Sequence, residues 1–231
     1  MTLPSHQKDA DVKGTKDAFI PALRFHWLTP LYDKIVSFTS QEEQFKDILL
    51  NEADLADNHT LLDIGCGSGT LVINAALRNG ACIIHGLDAD ENILKTAHHK
   101  SQQNDVKIHF KQGYSTELPY PDNHFDRVFS SLLFHHLSLD SKIRTLKEIY
   151  RVLKPGGEFY FADWGKPRTL FRKISFFMLR LFDGLDNTRD CLTNKIPDKM
   201  KHLGFDVSET GQVPTLLGDI VILKVRKSYP R

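Results

Sequence analysis

The sequence predicts an α/β fold with a doubly wound, mostly parallel sheet that ends in an antiparallel hairpin. Two observations support this prediction. Between residues 60 and 164, apolar runs of strand length alternate with amphipathic helical segments, which is typical of a parallel sheet covered on both faces. Near the carboxyl terminus, two strand-like runs follow each other without a full helix between them, which favours antiparallel pairing at one edge. The 231 residues, of which 41% are hydrophobic, are enough for one such domain.

The individual elements follow from start and stop signals. Ser40 and Glu43 form a capping box ahead of an apolar stripe. Gly80 is expected to end the helix that follows the first strand, and Asp90 to cap the next helix. Pro155 is expected to end the helix SLDSKIRTLKEIYRVLK. In chain order the predicted segments are helix SQEEQFKDILLNEADL, strand TLLDIG, helix TLVINAALRNG, strand ACIIHGLDAD, helix DENILKTAHHKSQQN, strand VKIHFKQGY, strand FDRVFSSLLF, helix SLDSKIRTLKEIYRVLK, strand EFYFADW, helix PDKMKHLGF, and strands FDVSET and DIVILKVRK.

Charge and cysteine content exclude several functional classes. Lys and Arg total 30 against 29 Asp and Glu, so no basic field favours a nucleic-acid partner. Cys66, Cys82 and Cys191 are far apart, which favours neither a disulfide framework nor a zinc site, and we expect no metal. The polar amino-terminal stretch lacks the apolar region of a secretory signal, and no run approaches the ~18 apolar residues of a membrane span. These features predict a cytoplasmic protein.

A glycine-rich turn follows the first predicted strand, in the stretch LLDIGCGSGT. A turn at this place lies at the carboxyl edge of the sheet, where ligands bind, and alternating glycines let a ligand approach the backbone itself. The dinucleotide fingerprint needs its third glycine five positions after the first, but here Gly65, Gly67 and Gly69 are followed by Thr70. No Gly-Lys-Ser/Thr follows either, so a P-loop is excluded.

An acidic residue ends the next predicted strand. Asp88 follows Gly65 by 23 residues, and a carboxylate at this place can accept two hydrogen bonds from a ribose diol. The neighbouring Asp90 is the better candidate for capping the following helix. Enzymes that use NAD carry the same acid, so Asp88 predicts a ribose without deciding which cofactor contains it.

Four motifs in order, over about residues 60–164, carry a resemblance to a known family. They are the D-x-G-x-G-x-G turn, Asp88, the stretch GYSTELPYPDNHFDRVFSSLLFHHL and the stretch LKEIYRVLKPGGEFYFADW. Together they resemble class I S-adenosylmethionine-dependent methyltransferases, and among these the small-molecule branch that includes ubiquinone and menaquinone methyltransferases. The resemblance implies a Rossmann-like sheet of seven strands, the last inserted antiparallel. It also implies S-adenosyl-L-methionine as cofactor, with S-adenosyl-L-homocysteine as product.

The resemblance also implies an organisation of the chain and a set of site residues. We expect a flexible tail over residues 1–18 and one methyltransferase domain over residues 19–231. Within that domain we expect an N-terminal helical cap (19–58), a cofactor-binding core (59–164), and a lid with the C-terminal hairpin (165–231). The residues expected to contact the cofactor are Tyr32, Asp63, Gly65, Cys66, Gly67, Asp88, Ala89, Tyr114, Ser115 and Ser130.

One of these residues departs from the family pattern. The family often has an aspartate after the glycine of QGY, where it binds the adenine amino group, but this chain has Tyr114. Tyr114 or Ser115 could contact adenine through backbone N–H groups, an aromatic face or a hydroxyl. Tyr32 is expected either to close over the cofactor or to anchor the amino-terminal helix.

Three residues at the carboxyl edge of the sheet are catalytic candidates. His135 and His136 follow the fourth strand, and a histidine there could act as a base near neutral pH. Asp163 ends the fifth strand and could position or deprotonate a substrate. Packing or capping is the alternative for each of the three. Two other functions also remain open: a cofactor-binding protein without turnover, and an NAD-dependent oxidoreductase.

The segment 166–182 bears on the methyl acceptor. It contains five Lys and Arg residues and no acid, and as a helix it has one apolar stripe. Three interpretations remain: a helix packed on the sheet, a lid over a greasy substrate, or a surface for peripheral membrane contact. We expect a small, hydrophobic organic acceptor, because such a stripe would shield methyl transfer from water.

Overall fold

The computed structural model describes residues 42–165, 169, 195–215 and 218–229. Within these ranges, helices alternate with strands in the order that the sequence predicts. The helices are α1 (Glu42–Glu52), α2 (Thr70–Arg78), α3 (Glu91–Gln103), α4 (Leu139–Val152) and α5 (Lys195–His202). The strands are β1 (Thr60–Ile64), β2 (Ile83–Asp88), β3 (His109–Gln112), β4 (Phe125–Ser131), β5 (Leu153–Trp164), β6 (Phe205–Pro214) and β7 (Asp219–Lys227).

The sheet has seven strands in the order β3-β2-β1-β4-β5-β7-β6. The pairs from β3 to β5 are parallel, whereas β7 is antiparallel to both β5 and β6, between which it lies. This arrangement confirms the predicted fold class, including the antiparallel hairpin. Because the first five strands are parallel, their carboxyl ends meet at one edge, called the carboxyl edge below.

The core consists of two apolar layers, one on each face of the sheet. Alternation along β1 shows the division, because Leu61 belongs to one layer and Leu62 to the other. The first layer packs α1 and α2 against the sheet through residues such as Phe45 and Leu71. The second packs α4 and α5 through residues such as Ile149 and Met200. With both faces covered, the carboxyl edge is where a ligand can meet the ends of the strands.

Element ends differ from the predictions where tertiary contacts decide them. The sequence predicts that α4 continues to Lys154, but it ends at Val152 because Leu153 already pairs with Phe125 as part of β5. A residue before proline also disfavours the helical conformation, so Lys154 is extended ahead of Pro155. The prediction for Asp90 is confirmed, since its side chain accepts a hydrogen bond from the Asn92 N–H at 2.8 Å.

Several predictions fall on parts of the chain outside the described residues. These are the flexible tail, Tyr32 with most of the N-terminal cap, the start of the Ser40 capping box, and nearly all of the segment 166–182. Among the residues that are described, no helix is long and apolar enough to span a bilayer.

A half-buried histidine on β2 makes the stability of the fold depend on pH. The His85 ring stacks on His109 at 5.0 Å and meets the His124 ring edge-on at 6.0 Å. Burial, together with the charges of His109, His124 and Lys111, lowers the pKa of His85 to about 4. In the unfolded chain the pKa of the same group returns to about 6.5.

The folded state is therefore expected to lose stability as the pH falls from about 6.5 towards 4, because only the unfolded chain takes up this proton. Urea unfolding at neutral and at mildly acidic pH measures the loss. His85→Gln should reduce the difference between the two conditions, whereas His99→Gln, at an exposed position on α3, should preserve it. An unchanged pH dependence in His85→Gln would contradict this account.

Candidate functional site

The glycine turn joins β1 to α2 at the carboxyl edge, and its three glycines serve different purposes. A Cβ on Gly65 would lie 3.1 Å from Leu133 Cδ1, and one on Gly69 would lie 3.1 Å from Ala97 Cβ, so both allow the turn to pack against the protein. Gly67 has a φ of +53°, and a Cβ there would meet nothing within 4 Å. The middle glycine therefore faces open space, where a ligand can lie against the backbone.

Asp88 links the end of β2 to this turn. Its Oδ2 accepts a hydrogen bond from the Gly67 N–H at 2.8 Å, and its Oδ1 accepts one from the Asp90 N–H at 3.0 Å. Burial raises the pKa of Asp88, although these two hydrogen bonds partly oppose the rise. A carboxylate has about four acceptor positions. The geometry is therefore compatible with further hydrogen bonds from the hydroxyls of a ligand.

Asp63 is a buried acid on β1, beneath the glycine turn. It is 1% exposed, and its Oδ1 has no hydrogen-bond partner within the part of the chain that the structure describes. Burial, partly opposed by the charge of Lys46 and assisted by that of Asp88, raises the pKa of Asp63 to about 7. An unpartnered buried carboxylate oxygen is costly, and a ligand with a positive group would satisfy it.

Lys46, on α1, is a candidate that the sequence reasoning missed. It is 7% exposed, forms an ion pair with the Glu42 carboxylate, and acts on the charge of Asp63. The missed signal is its place on the helix, because Lys46 stands one turn before Leu49 and Leu50 on the buried stripe of α1. A lysine on an apolar stripe is unusual and often has a specific partner. With Asp63 it supplies opposite charges near the glycine turn.

Three of the expected cofactor contacts lie around the turn and on β2–β3. The Cys66 N–H donates to the Leu87 carbonyl at 3.0 Å, and its thiol is buried, which raises the pKa of Cys66. The Ala89 carbonyl accepts a hydrogen bond from Gln112 Nε2 at 3.1 Å. Tyr114 follows β3 and is 55% exposed, so its ring is available to a ligand.

The two expected serines differ from each other. The Ser115 hydroxyl is buried and hydrogen-bonded to Thr145 Oγ1 at 2.9 Å, so its side chain already has a partner inside the protein. Ser130 is 1% exposed at the end of β4, and its Oγ has no hydrogen-bond partner among the described residues. A contact between Ser115 and a ligand would therefore involve its backbone, whereas the hydroxyl of Ser130 can take another hydrogen bond.

The catalytic candidates His135 and Asp163 are in direct contact. Nδ1 of His135 lies 2.8 Å from Asp163 Oδ1, and both side chains are buried. Asp163 also accepts hydrogen bonds from the His135 N–H at 3.2 Å and the Trp164 N–H at 2.7 Å. Burial raises the pKa of Asp163, but the charge and hydrogen bond of His135 outweigh it, so the net pKa lies below its ordinary value.

His136 follows in the same short 3-10 turn, Phe134–His136, which the sequence did not predict. Its ring centroid is 3.9 Å from that of His135. Burial and the adjacent His135, partly opposed by Asp163, lower the pKa of His136 to about 3, so this ring is neutral at physiological pH. Leu132, just before the turn, has a φ of +53°, an unfavourable conformation for a leucine at the carboxyl edge.

The donors and acceptors of this site fit a ligand with an amino-acid end and a ribose. Gly67 leaves room beside the backbone, Asp88 can accept from a diol, and Asp63 with Lys46 offers charges of opposite sign. Within the described ranges, no three His, Cys, Asp or Glu side chains are arranged to hold a metal ion.

Comparisons with known proteins find chains that are similar in sequence. A family model described as "Methyltransferase domain" matches residues 62–161. The chain is 30% identical over 172 residues to a demethylmenaquinone methyltransferase from Symbiobacterium thermophilum, covering 68% of this chain and 67% of that protein. It is also 30% identical over 148 residues to a 2-phytyl-1,4-naphtoquinone methyltransferase from Nostoc punctiforme, covering 62% and 64%. The alignments thus span about two thirds of these curated relatives.

A solved structure agrees on the fold. A crystal structure of a SAM-dependent methyltransferase from Aquifex aeolicus superposes with a TM-score of 0.60 at 20% sequence identity, covering 78% of this chain and 88% of that chain.

The open space at Gly67 predicts that a methyl group there obstructs the ligand more than it disturbs the fold. Gly67→Ala should lose about 1–2 kcal/mol of stability from its positive φ and bind S-adenosylhomocysteine much more weakly. Gly204→Ala is the matched control, because Gly204 has a φ of +92° and its added Cβ would lie 3.5 Å from Tyr150 Oη, an ordinary contact. Urea unfolding and calorimetric titration measure the two effects. Equal binding by both variants would contradict the prediction.

Proposed function

Because the chain belongs to the S-adenosylmethionine-dependent methyltransferase family, we propose that its methyl acceptor is a reduced quinone, a small hydrophobic ring with hydroxyl groups. The reaction class, methyl transfer to a small molecule, follows from the family. The observation that supports the acceptor is that both relatives compared above are named as methyltransferases of naphthoquinone-type compounds. Family membership also makes S-adenosylmethionine the cofactor that contains the ribose expected at Asp88, in place of NAD.

Each part of the cofactor has residues suited to hold it. S-adenosylmethionine supplies a methyl group on a sulfonium centre, which is already activated towards a nucleophile. Asp88 would accept hydrogen bonds from the ribose hydroxyls, and the backbone at Gly67 would border the amino-acid end. Asp63 would compensate the positive amino group, and Lys46 would compensate the carboxylate. Two observations support these assignments: the open space beside Gly67, and the lack of a hydrogen-bond partner for Asp63 Oδ1 among the described residues.

The adenine contact in this proposal relies on an aromatic face. Tyr114 is more than half exposed, one strand away from Asp88, and the Gly113 N–H donates to the Asp88 carbonyl at 3.0 Å. The Ser115 hydroxyl is engaged with Thr145, so it is a poor candidate for reading the base. Stacking of Tyr114 on the purine then takes the place of the acid that the family often has.

Two leucines give the carboxyl edge an apolar surface beside the end of β4. Leu132 and Leu133, both half-buried, follow β4, and the Leu133 side chain borders the glycine turn at Gly65. Such an apolar surface excludes water from a methyl transfer and favours a flat hydrophobic ring.

The cytoplasm is the proposed compartment, because Cys66 and Cys82 are free thiols.

The buried Asp63 makes cofactor binding depend on pH. With a pKa of about 7, Asp63 is half protonated at neutral pH, and an ammonium group held beside it favours the ionised form. Affinity for S-adenosylhomocysteine should therefore be full above about pH 7 and fall by up to about tenfold per pH unit below it. Calorimetric titration across this range measures the slope.

Asp63→Asn is the control for this prediction. It cannot titrate, so it should bind S-adenosylhomocysteine more weakly and with little change in affinity across the same pH range. A parent affinity that stays constant through neutral pH would contradict the assignment of Asp63 to the amino group.

The acceptor proposal is tested with a reduced 1,4-naphthoquinone that carries a short isoprenoid chain, dispersed in detergent. The enzyme should release S-adenosylhomocysteine and add one methyl group, both detected by mass spectrometry. Asp88→Asn should lose roughly ten- to a hundredfold in cofactor affinity if it loses one charge-assisted hydrogen bond. Binding of S-adenosylhomocysteine without methylation of this acceptor would refute the acceptor class. Absence of turnover with every hydroxylated ring tested would instead favour a binding protein.

A further inference from the structure

The loop between β3 and β4, residues 113–124, carries the candidate adenine contacts Tyr114 and Ser115. The structure describes every residue of this β3–β4 loop, and none of them belongs to a helix or strand. At its start, the Tyr114 carbonyl accepts a hydrogen bond from the Glu117 N–H at 3.2 Å. A loop without a regular hydrogen-bond ladder must satisfy its backbone groups through other partners. The position of the Tyr114 ring therefore depends on the residues that hold the loop.

Arg151, in the last turn of α4, holds the second half of the β3–β4 loop. Its Nη2 donates to the Leu118 carbonyl at 2.9 Å. Its Nη1 donates to the Tyr120 carbonyl and to Asp122 Oδ1, both at 2.8 Å. Its carbonyl accepts a hydrogen bond from the Asn123 N–H at 2.9 Å. A guanidinium suits this position because its N–H donors point in several fixed directions within one plane.

Glu148, one turn earlier on α4, completes the anchor. Its Oε2 accepts a hydrogen bond from the Leu118 N–H at 2.7 Å, so the pair of side chains binds both backbone polar groups of Leu118. Arg151 also donates to Glu148 twice, from Nε at 2.8 Å and from Nη2 at 2.7 Å. The hydrogen bonds from Arg151 and Leu118 outweigh burial and hold the pKa of Glu148 below its ordinary value. The pair is therefore ionised at neutral pH, and its hydrogen bonds are charge-assisted.

The same side of α4 also contacts the first half of the loop. The hydroxyls of Thr145 and Ser115 lie 2.9 Å apart. Thr145, Glu148 and Arg151 are spaced by three residues, so they lie along one side of the helix. The Leu118 side chain is 3% exposed and belongs to the same apolar layer as Ile149 of α4. The loop is thus fixed on α4 by polar and apolar contacts, while the ring of Tyr114 stays 55% exposed.

We propose that Arg151 and Glu148 are positioning residues for adenine recognition, which hold the β3–β4 loop in the conformation that binds the base. The inference rests on the adenine contact proposed above and deepens it, because selectivity for the purine then depends on an ion pair of α4. A pair that only stabilised the fold would affect the binding of every part of the cofactor alike. The proposal instead requires a loss that is confined to the adenine end.

Arg151→Met tests this, because methionine keeps an unbranched apolar stem and removes every donor. Two ligands are compared by calorimetric titration and competition: S-adenosylhomocysteine, and S-ribosylhomocysteine, which keeps the ribose and the amino-acid end but has no adenine. Stacking of a base on an aromatic ring contributes on the order of ten- to a hundredfold in affinity. Loosening the loop should lose about tenfold for S-adenosylhomocysteine and leave the affinity for S-ribosylhomocysteine unchanged.

Lys147→Met is the matched control, because it removes a positive charge from an exposed position on the same helix, next to Glu148. It should retain both affinities. Arg151→Lys keeps the charge but not the planar set of donors, so it should restore only part of the lost affinity for S-adenosylhomocysteine. Urea unfolding shows whether each variant is folded at the assay temperature. If Arg151→Met does not fold, Glu148→Gln replaces it and should show the same selective loss, to a smaller extent.

Tyr114→Ala separates a failure of this inference from a failure of the adenine contact. An unchanged affinity of Tyr114→Ala for S-adenosylhomocysteine would refute stacking by this ring, whereas the ratio of the two affinities still decides the role of Arg151. Where the ring does stack, Arg151→Met should have little further effect in the Tyr114→Ala background. Equal losses for both ligands in Arg151→Met, or no loss for either, would overturn the proposal. No methyl acceptor is present in these titrations, so their outcome is independent of the acceptor class.

Discussion

The hydrogen bond from the Gly67 N–H to the Asp88 carboxylate is the contact on which the candidate site depends. It joins the turn after β1 to the end of β2, and it exists because parallel neighbours end at the same edge of the sheet. The same carboxylate also receives the Asp90 N–H at the start of α3. One side chain thus fixes the glycine turn and the first residues of the next helix, and it still has acceptor capacity for a ligand.

Buried charge is the second constraint. The side chains with little exposure include Asp63, Lys46, His135 and Asp163, and the two aspartates differ in how well they are satisfied. Asp163 is hydrogen-bonded to the His135 ring and to two backbone N–H groups, whereas Asp63 Oδ1 has no hydrogen-bond partner among the described residues. Unsatisfied buried charge costs stability, so natural proteins retain it where a ligand or a reaction uses it. This contrast distinguishes an acid with an acceptor position left for a ligand from an acid that is satisfied within the protein.

The sequence alone predicted the order of helices and strands along the chain well, because alternating apolar runs and glycine spacing are local signals. It identified Gly67, Asp88, His135 and Asp163 as residues of one edge, but it could not distinguish the glycines. Only packing reveals that Gly65 and Gly69 face side chains while Gly67 faces open space. The effect of Lys46 on Asp63 could not be predicted because the two residues lie on different elements, and the Ser115–Thr145 bond joins residues 30 positions apart. The observed end of α4 differs from the predicted end for the same reason, since pairing of Leu153 with Phe125 outweighs helix propensity.

The antiparallel β7 between β5 and β6 has a consequence for how the chain is made. Phe159 of β5 pairs with Val225, so a strand inside the sheet finds one of its partners 66 residues further along the chain. During synthesis, the five parallel strands emerge first, and β5 presents a row of unpaired backbone groups and apolar side chains until residues 219–227 leave the ribosome. Such long-range pairing slows folding and exposes a surface for aggregation. Until β7 pairs with it, β5 is therefore an edge at which the partly folded sheet can aggregate.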